Sequence, residues 1–403
     1  MSSSNISLPL EDLSFGKREE AHEAHKKLEK SWLFLPWRSL SYTTASVWQL
    51  TCLLVLLAVA ATIPIIQWAS LGYLLEAASR VAHGRPWRDT LPGLQRAGRI
   101  ILVLLCLVVT WLPVWLATQY SYQAELIEPG SRIASRWRVA AGTAAILWMI
   151  YGLWAIIRGG RIRDFLWPAP IRFLREFLPR IFRRSTWHNL EDRLWSVTAG
   201  LQIPRLAWLG FRAWIGALIW LALPATMVVI GMQSYQQPIR VVIGVIGFVM
   251  MWWVLLHLPF LQVQMAQENR LRSMFRLSTV RQSFRKAPWA FFLGSLVTLA
   301  LALPLYLLRI EVIPKELMWL PCFVFVFLTL PAKLCVGWAM RRGQREIPNR
   351  WLLNRYTAWF LQLATVPIYI LFLYLGSISS WDGPLVVFLQ HAFLMPVPFF
   401  SFR

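Results

Sequence analysis

Apolar residues fall in long unbroken blocks along this chain, and polar residues collect between the blocks. Eight runs of about 20 residues contain no carboxylate, the length that a helix rising 1.5 Å per residue needs to cross a hydrocarbon core of ~30 Å. They are Val47–Gln67, Ile100–Tyr120, Val139–Ile157, Ala213–Met232, Val241–Val263, Trp289–Leu308, Leu317–Trp338 and Tyr356–Gly376. A ninth stretch, Pro384–Phe400, is short and Pro-rich and reads as interfacial or re-entrant. None of the runs shows the ~10-residue alternation of a membrane barrel strand. The predicted fold is therefore all-α: a polytopic integral membrane bundle of about eight transmembrane helices, with Arg-rich amphipathic helices at the cytoplasmic interface.

The blocks divide the chain. A polar tail with a short charged helix (1–46) precedes a first membrane unit of three spans (47–157). An Arg-rich amphipathic connector (158–212) leads to a second unit of five spans (213–376), and an apolar interfacial segment (377–403) closes the chain. The tail has no apolar h-region before a small-residue cleavage site, so no removable signal peptide is expected.

Composition agrees with this division, since 57% of residues are hydrophobic and 24 are tryptophan. Charge adds the orientation. The net charge is +22, and the arginines are not spread evenly. Arg80, Arg85, Arg88, Arg96 and Arg99 lie between the first two runs, eleven arginines lie in 158–212, and further clusters fill 270–286 and 341–355. The intervening connections are poor in charge, with Arg240 alone in 233–240. All the strongly basic connectors thus fall on one face, and short basic loops stay in the cytoplasm. An inner, cytoplasmic membrane is the expected location. With eight full spans, the tail would be outside despite six basic residues of its own. Either it is translocated, which the length of Val47–Gln67 favours, or the first run returns at Pro64 without crossing.

Proline punctuates the runs. "IPIIQ" (63–67) closes the first and "LPFLQ" (258–262) the fifth, each with Gln three residues after Pro, Gln67 after Pro64 and Gln262 after Pro259. The following runs carry Pro113 and Pro304, and a looser third copy joins Pro331 to Pro367. A proline inside a helix removes a backbone bond and frees a carbonyl. These positions are expected kinks. They are read either as a shared packing device or as parallel repeats placing broken helices around a midplane site.

In 70–99, Leu71, Leu74, Leu75, Ala78, Val81 and Ala82 share one helical face, while Glu76, Ser79, Arg80 and His83 share the other. Glu76 and Arg80 have the i, i+4 order that favours an ion pair. Gly84 and Pro86 should end this helix, giving an amphipathic, orienting element whose arginines reach headgroups. A catalytic Glu76–His83 pair lacks a nucleophile or metal-ligand partner. The order Gly72-Tyr73, Arg80, Gly84, Leu91-Pro92, Gly98 after an apolar run resembles an uncharacterised family of polytopic prokaryotic membrane proteins, over roughly residues 50 to 115. The resemblance implies a helical integral-membrane domain and no assigned activity.

The connector 161–195 alternates apolar and aromatic positions with Arg172, Arg175, Arg180, Arg183 and Arg184. Such a segment lies in the interface and attracts anionic headgroups, which guanidinium grips bidentately. Nucleic acid is the rival ligand, and the interleaved apolar face argues against it. "WHNLED" (187–192) reads as a solvated capping cluster. Ionisable or amide side chains within the runs are few: His257, Lys333, Gln67 and Gln262 form a candidate intramembrane polar site, although His257 and Lys333 lie near run ends where they could snorkel. Cys52, Cys106, Cys322 and Cys335 form no CxxC pair. No metal or cofactor is expected, and no nucleotide-binding or hydrolase motif is present.

The leading functional expectation is a non-enzymatic membrane protein that contacts anionic lipid, with a membrane-organising, assembly or accessory role. Membrane-protein partners or a homo-oligomer are compatible with it. The alternative is a transporter built on the Pro-broken repeats, and a lipid-acting membrane enzyme comes third. A continuous polar cavity between Pro64, Pro259 and Pro331 would separate the first two.

Overall fold

A computed structural model describes residues 43–63, 65–166, 188, 191–192, 195, 199–232, 237–310, 319–345 and 352–378. Its longer helices are α1 (Thr43–Thr62), α2 (Gln67–Ala82), α3 (Leu94–Ile127), α4 (Arg132–Arg158), α5 (Ile203–Met232), α6 (Pro238–Glu268), α7 (Leu277–Lys286), α8 (Pro288–Ile310), α9 (Trp319–Arg345), α10 (Leu352–Leu363) and α11 (Thr365–Ile378). No strand occurs among the described residues. The protein is an all-α, multi-pass membrane bundle.

Among the described residues, six helices, α1, α3, α4, α5, α6 and α9, are long and apolar enough to cross a bilayer. A seventh crossing is formed if α7 and α8, which meet at a 113° bend, are taken together. The eight continuous runs of the sequence are thus not eight straight spans. The last, Tyr356–Gly376, is broken at Ala364 into α10 and α11. Pro367 explains the break: it donates no N–H, and its ring clashes with the carbonyl four residues earlier, that of Leu363. At the bend before α8, α7 buries Val280 and Ser283 and exposes Arg281 and Arg285.

Burial separates the spans into two kinds. In α9, 56% of the apolar window is buried, against 6% in α3. The α3–α4 hairpin packs mainly on itself, through Trp111 against Trp148 (4.7 Å between rings) and Tyr120 against Trp137 (5.0 Å). Ser131 caps α4 by accepting the Ala134 N–H at 3.1 Å. The outward Leu105, Val108, Leu112 and Leu147 are surfaces that acyl chains cover in a membrane.

Helix α2 is the correction with the largest structural consequence. The sequence places it at the interface with one wet face; the structure buries most of it and leaves Glu76 and Arg80 partly exposed. Leu74, Leu75, Ala77 and Ala78 are fully buried, and Ser79 is buried with them. Two close approaches make this possible. A Cβ on Gly72 would lie 1.9 Å from the Leu206 carbonyl oxygen, and one on Gly210 would lie 1.9 Å from that of Trp68. The backbones of α2 and α5 therefore touch, as small residues allow between membrane helices. On another side, Gly337 of α9 meets Ala78, where a Cβ would come within 2.3 Å of the carbonyl oxygen. Gly84 ends α2 as expected, at φ +77°.

Candidate functional site

Two of the four candidate intramembrane residues meet. Gln262, one turn beyond Pro259 in α6, and Lys333, two residues beyond Pro331 in α9, are 0% and 1% exposed. Lys333 Nζ donates to Gln262 Oε1 at 2.6 Å. Lys333 does not snorkel, because α9 is enclosed by α2, α6 and α8, leaving its stem no path to the headgroups. Beside it lies a cavity of about 10 Å³, lined by Thr298, Leu301 and Ala302 of α8 and by Leu328, Thr329 and Ala332 of α9. That is room for a single water-sized occupant.

The other two candidates stand apart from this pair. His257 Nδ1 lies 2.9 Å from the Trp253 carbonyl oxygen of its own helix, and its ring packs on Trp253 at 4.5 Å. Gln67 begins α2, and its buried Oε1 has no hydrogen-bond partner among the described residues. The two proline-glutamine motifs also differ in path. After Thr62 the chain bends, Ile65 takes φ +73°, and a new helix starts at Gln67. "LPFLQ", by contrast, continues within α6. Pro64 itself lies outside the described residues. Pro113, Pro304 and Pro331 sit inside continuous helices, and Pro367 lies just after the break at Ala364. A wider cavity of about 220 Å³ between α5 and α6, lined by Val228, Met232, Val241 and Phe248, offers no polar side chain.

Four Arg-rich connectors are tied to one another by direct contacts. Arg96 donates to the Gly200 carbonyl at 2.6 Å, joining 83–99 to the start of the α5 segment. Arg212 donates to the Asn269 carbonyl at 2.7 Å, joining that segment to the end of α6. Gln344 and Gln267 are bonded at 3.2 Å, joining α6 to the end of α9. Arg341 and Arg345 of α9 converge on Gly84, where a Cβ would lie 3.1 and 2.8 Å from their guanidinium atoms. These contacts close a ring. Residues 76–99, 199–212, 266–288 and 339–345 hold 16 Arg and Lys against three carboxylates, Glu76, Asp89 and Glu268. Glu76 pairs with Arg80 at 2.9 Å and lies 4.0 Å from Arg205, and Glu268 pairs with Arg276 at 3.4 Å. Among the described residues, Arg270, Arg272, Arg281, Arg285, Arg341 and Arg345 form no ion pair.

Arg172, Arg175, Arg180, Arg183 and Arg184 lie outside the described residues. In "WHNLED", His188 and Glu191 are 3.7 Å apart and mostly exposed. No group of three His, Cys, Asp or Glu that could hold a metal occurs among the described residues.

The residues carrying the family resemblance serve the α2–α3 connection. Tyr73 donates to the Pro92 carbonyl at 3.0 Å, and Arg80 donates to that of Asp89 at 3.0 Å. Gly72 is the contact with α5 and Gly84 the turn. No family model matches the chain, and neither a curated protein nor a solved structure matches it. Pattern reasoning missed the close-packing glycines Gly72, Gly210 and Gly337. Their signal was available as small residues within apolar helices.

Proposed function

We propose that this protein is a non-enzymatic multi-pass membrane protein whose basic end rests on anionic lipid headgroups at the cytoplasmic face, with a membrane-organising, assembly or accessory role. The observation that carries this reading is the closed ring of connectors, in which 16 basic residues meet three carboxylates. Unpaired guanidinium groups held together on one face attract phosphate diesters, at about 1 kcal/mol per basic residue near the surface. The orientation rule for short basic loops supports the cytoplasmic assignment. Arg172, Arg175, Arg180, Arg183 and Arg184 would extend the same patch. A transporter needs a path for a solute, and the Lys333–Gln262 pair adjoins only a cavity of about 10 Å³.

Thermal unfolding of the full-length protein in mixed micelles tests the reading. At low salt, phosphatidylglycerol should raise Tm well above the value in phosphatidylcholine, and 0.5 M salt should erase most of the difference, with a Debye length of only about 4 Å there. Replacing Arg172, Arg175, Arg180, Arg183, Arg281 and Arg285 by glutamine should remove the preference while leaving Tm in phosphatidylcholine close to wild type. Equal stabilisation by both lipids would overturn the proposal.

A further inference from the structure

The environment of Lys333 has more donors than acceptors. An ammonium carries three N–H donors and no acceptor. Gln262 takes one of the three, at 2.6 Å. Among the described residues, no carboxylate pairs with Lys333 and its Nζ makes no second hydrogen bond. Thr329, one helical turn earlier on α9, is 6% exposed, and its hydroxyl makes no hydrogen bond among the described residues. Thr298 gives its own proton to the Gly294 carbonyl at 2.7 Å. Lys333 and Thr329 both line the small cavity, whose remaining wall includes Leu301, Ala302 and Leu328.

A buried cation with no counter-charge is costly in a low-dielectric interior, and the cost is met either by loss of the proton or by pairing of the charge. The pair with Gln262 supplies a dipole, not a charge. A water in the cavity would supply another dipole and leave the net charge in place. A small anion would accept from the ammonium and from the Thr329 hydroxyl, and would cancel the charge. We propose that this cavity is a binding site for one small monovalent anion, with chloride as its representative, held by Lys333 and Thr329 and with Gln262 orienting the ammonium. The volume excludes sulfate and phosphate, and a halide, larger than a water, enters as the flexible Lys333, Leu301 and Leu328 side chains give way. The apolar wall disfavours strongly hydrated ions. This site is separate from the basic ring, and it stands or falls independently of the lipid reading.

The test uses the full-length protein in a neutral detergent, in sodium gluconate at fixed ionic strength, with gluconate replaced stepwise by chloride or bromide. Tm should rise saturably by roughly 2–4 °C with either halide, the shift expected for a ligand that binds only the folded state. Sulfate at the same ionic strength should not reproduce it. In Lys333→Met the saturable rise should vanish, and in Thr329→Val it should need several-fold more chloride. The methionine side chain fits the same space without a charge, so this variant should remain folded and readable. An unchanged Tm between gluconate and chloride, or an undiminished response in Lys333→Met, would overturn the proposal and leave water as the occupant.

Discussion

Gly72→Leu should leave almost no monodisperse protein after detergent extraction, whereas Gly142→Leu should purify as wild type does. Both glycines lie in helices, but a Cβ on Gly72 would stand 1.9 Å from the Leu206 carbonyl oxygen and one on Gly142 would meet nothing within 4 Å. The clash at Gly72 is with backbone, so no side-chain rotation relieves it. Overpacking of a well-packed core costs typically about 1–3 kcal/mol even when side chains can move, and here α2 and α5 would have to separate. Gly72→Ala should already lower Tm by several degrees. Size-exclusion profiles and tryptophan fluorescence melts measure both effects. A Gly72→Leu variant with a wild-type melt would mean that α2 and α5 are not in contact.

The second large effect lies at the buried pair. Gln262→Leu removes the hydrogen bond that Lys333 makes and leaves its ammonium enclosed by apolar groups, with only the cavity beside it. Leaving a buried donor without its partner costs about 1–3 kcal/mol, and more when the group is charged, while replacing both partners by apolar groups of the same shape is often nearly neutral or stabilising. Gln262→Leu should therefore be the most destabilising of three variants, Lys333→Met close to wild type, and the double variant a recovery towards it. Unfolding by a denaturing detergent, read by fluorescence, gives the ordering. Additive losses in the double variant would show that the two side chains act separately.

Several elements were legible from hydrophobic pattern alone. The run Val241–Val263 lies within α6, Val139–Ile157 within α4, and Ile100–Tyr120 within α3. Charge placement grouped connectors whose described parts, 76–99, 199–212, 266–288 and 339–345, are in direct contact. What escaped has physical reasons. Helix α2 looked one-sided because Glu76, Ser79, Arg80 and His83 share a face. That face is satisfied within the protein, by Glu76 with Arg80 and by Arg80 with the Asp89 carbonyl. Periodicity separates apolar from polar positions; it cannot separate a wet partner from a protein partner. Lys333 was a candidate for the intramembrane polar site that could also have snorkelled from its run end, and a sequence does not state which neighbours enclose a helix. The matching "IPIIQ" and "LPFLQ" promised equivalent geometry, yet one is a helix break and the other a continuous helix.

The structure also changes how topology is best measured. Ser283 lies within a basic connector, but it is buried, so a cysteine there would resist labelling on either side of the membrane. Its neighbour Gln282 is exposed, as is Glu128 at the turn of the α3–α4 hairpin. A multi-pass bundle whose basic connectors share the cytoplasmic face would hold Gln282 inside and Glu128 outside. In a background lacking the four native cysteines, Gln282→Cys and Glu128→Cys can be probed with a membrane-impermeant maleimide in intact cells and again after permeabilisation. Glu128→Cys should label in both conditions and Gln282→Cys only after permeabilisation. Labelling of Gln282→Cys in intact cells, or of both sites alike, would contradict that arrangement.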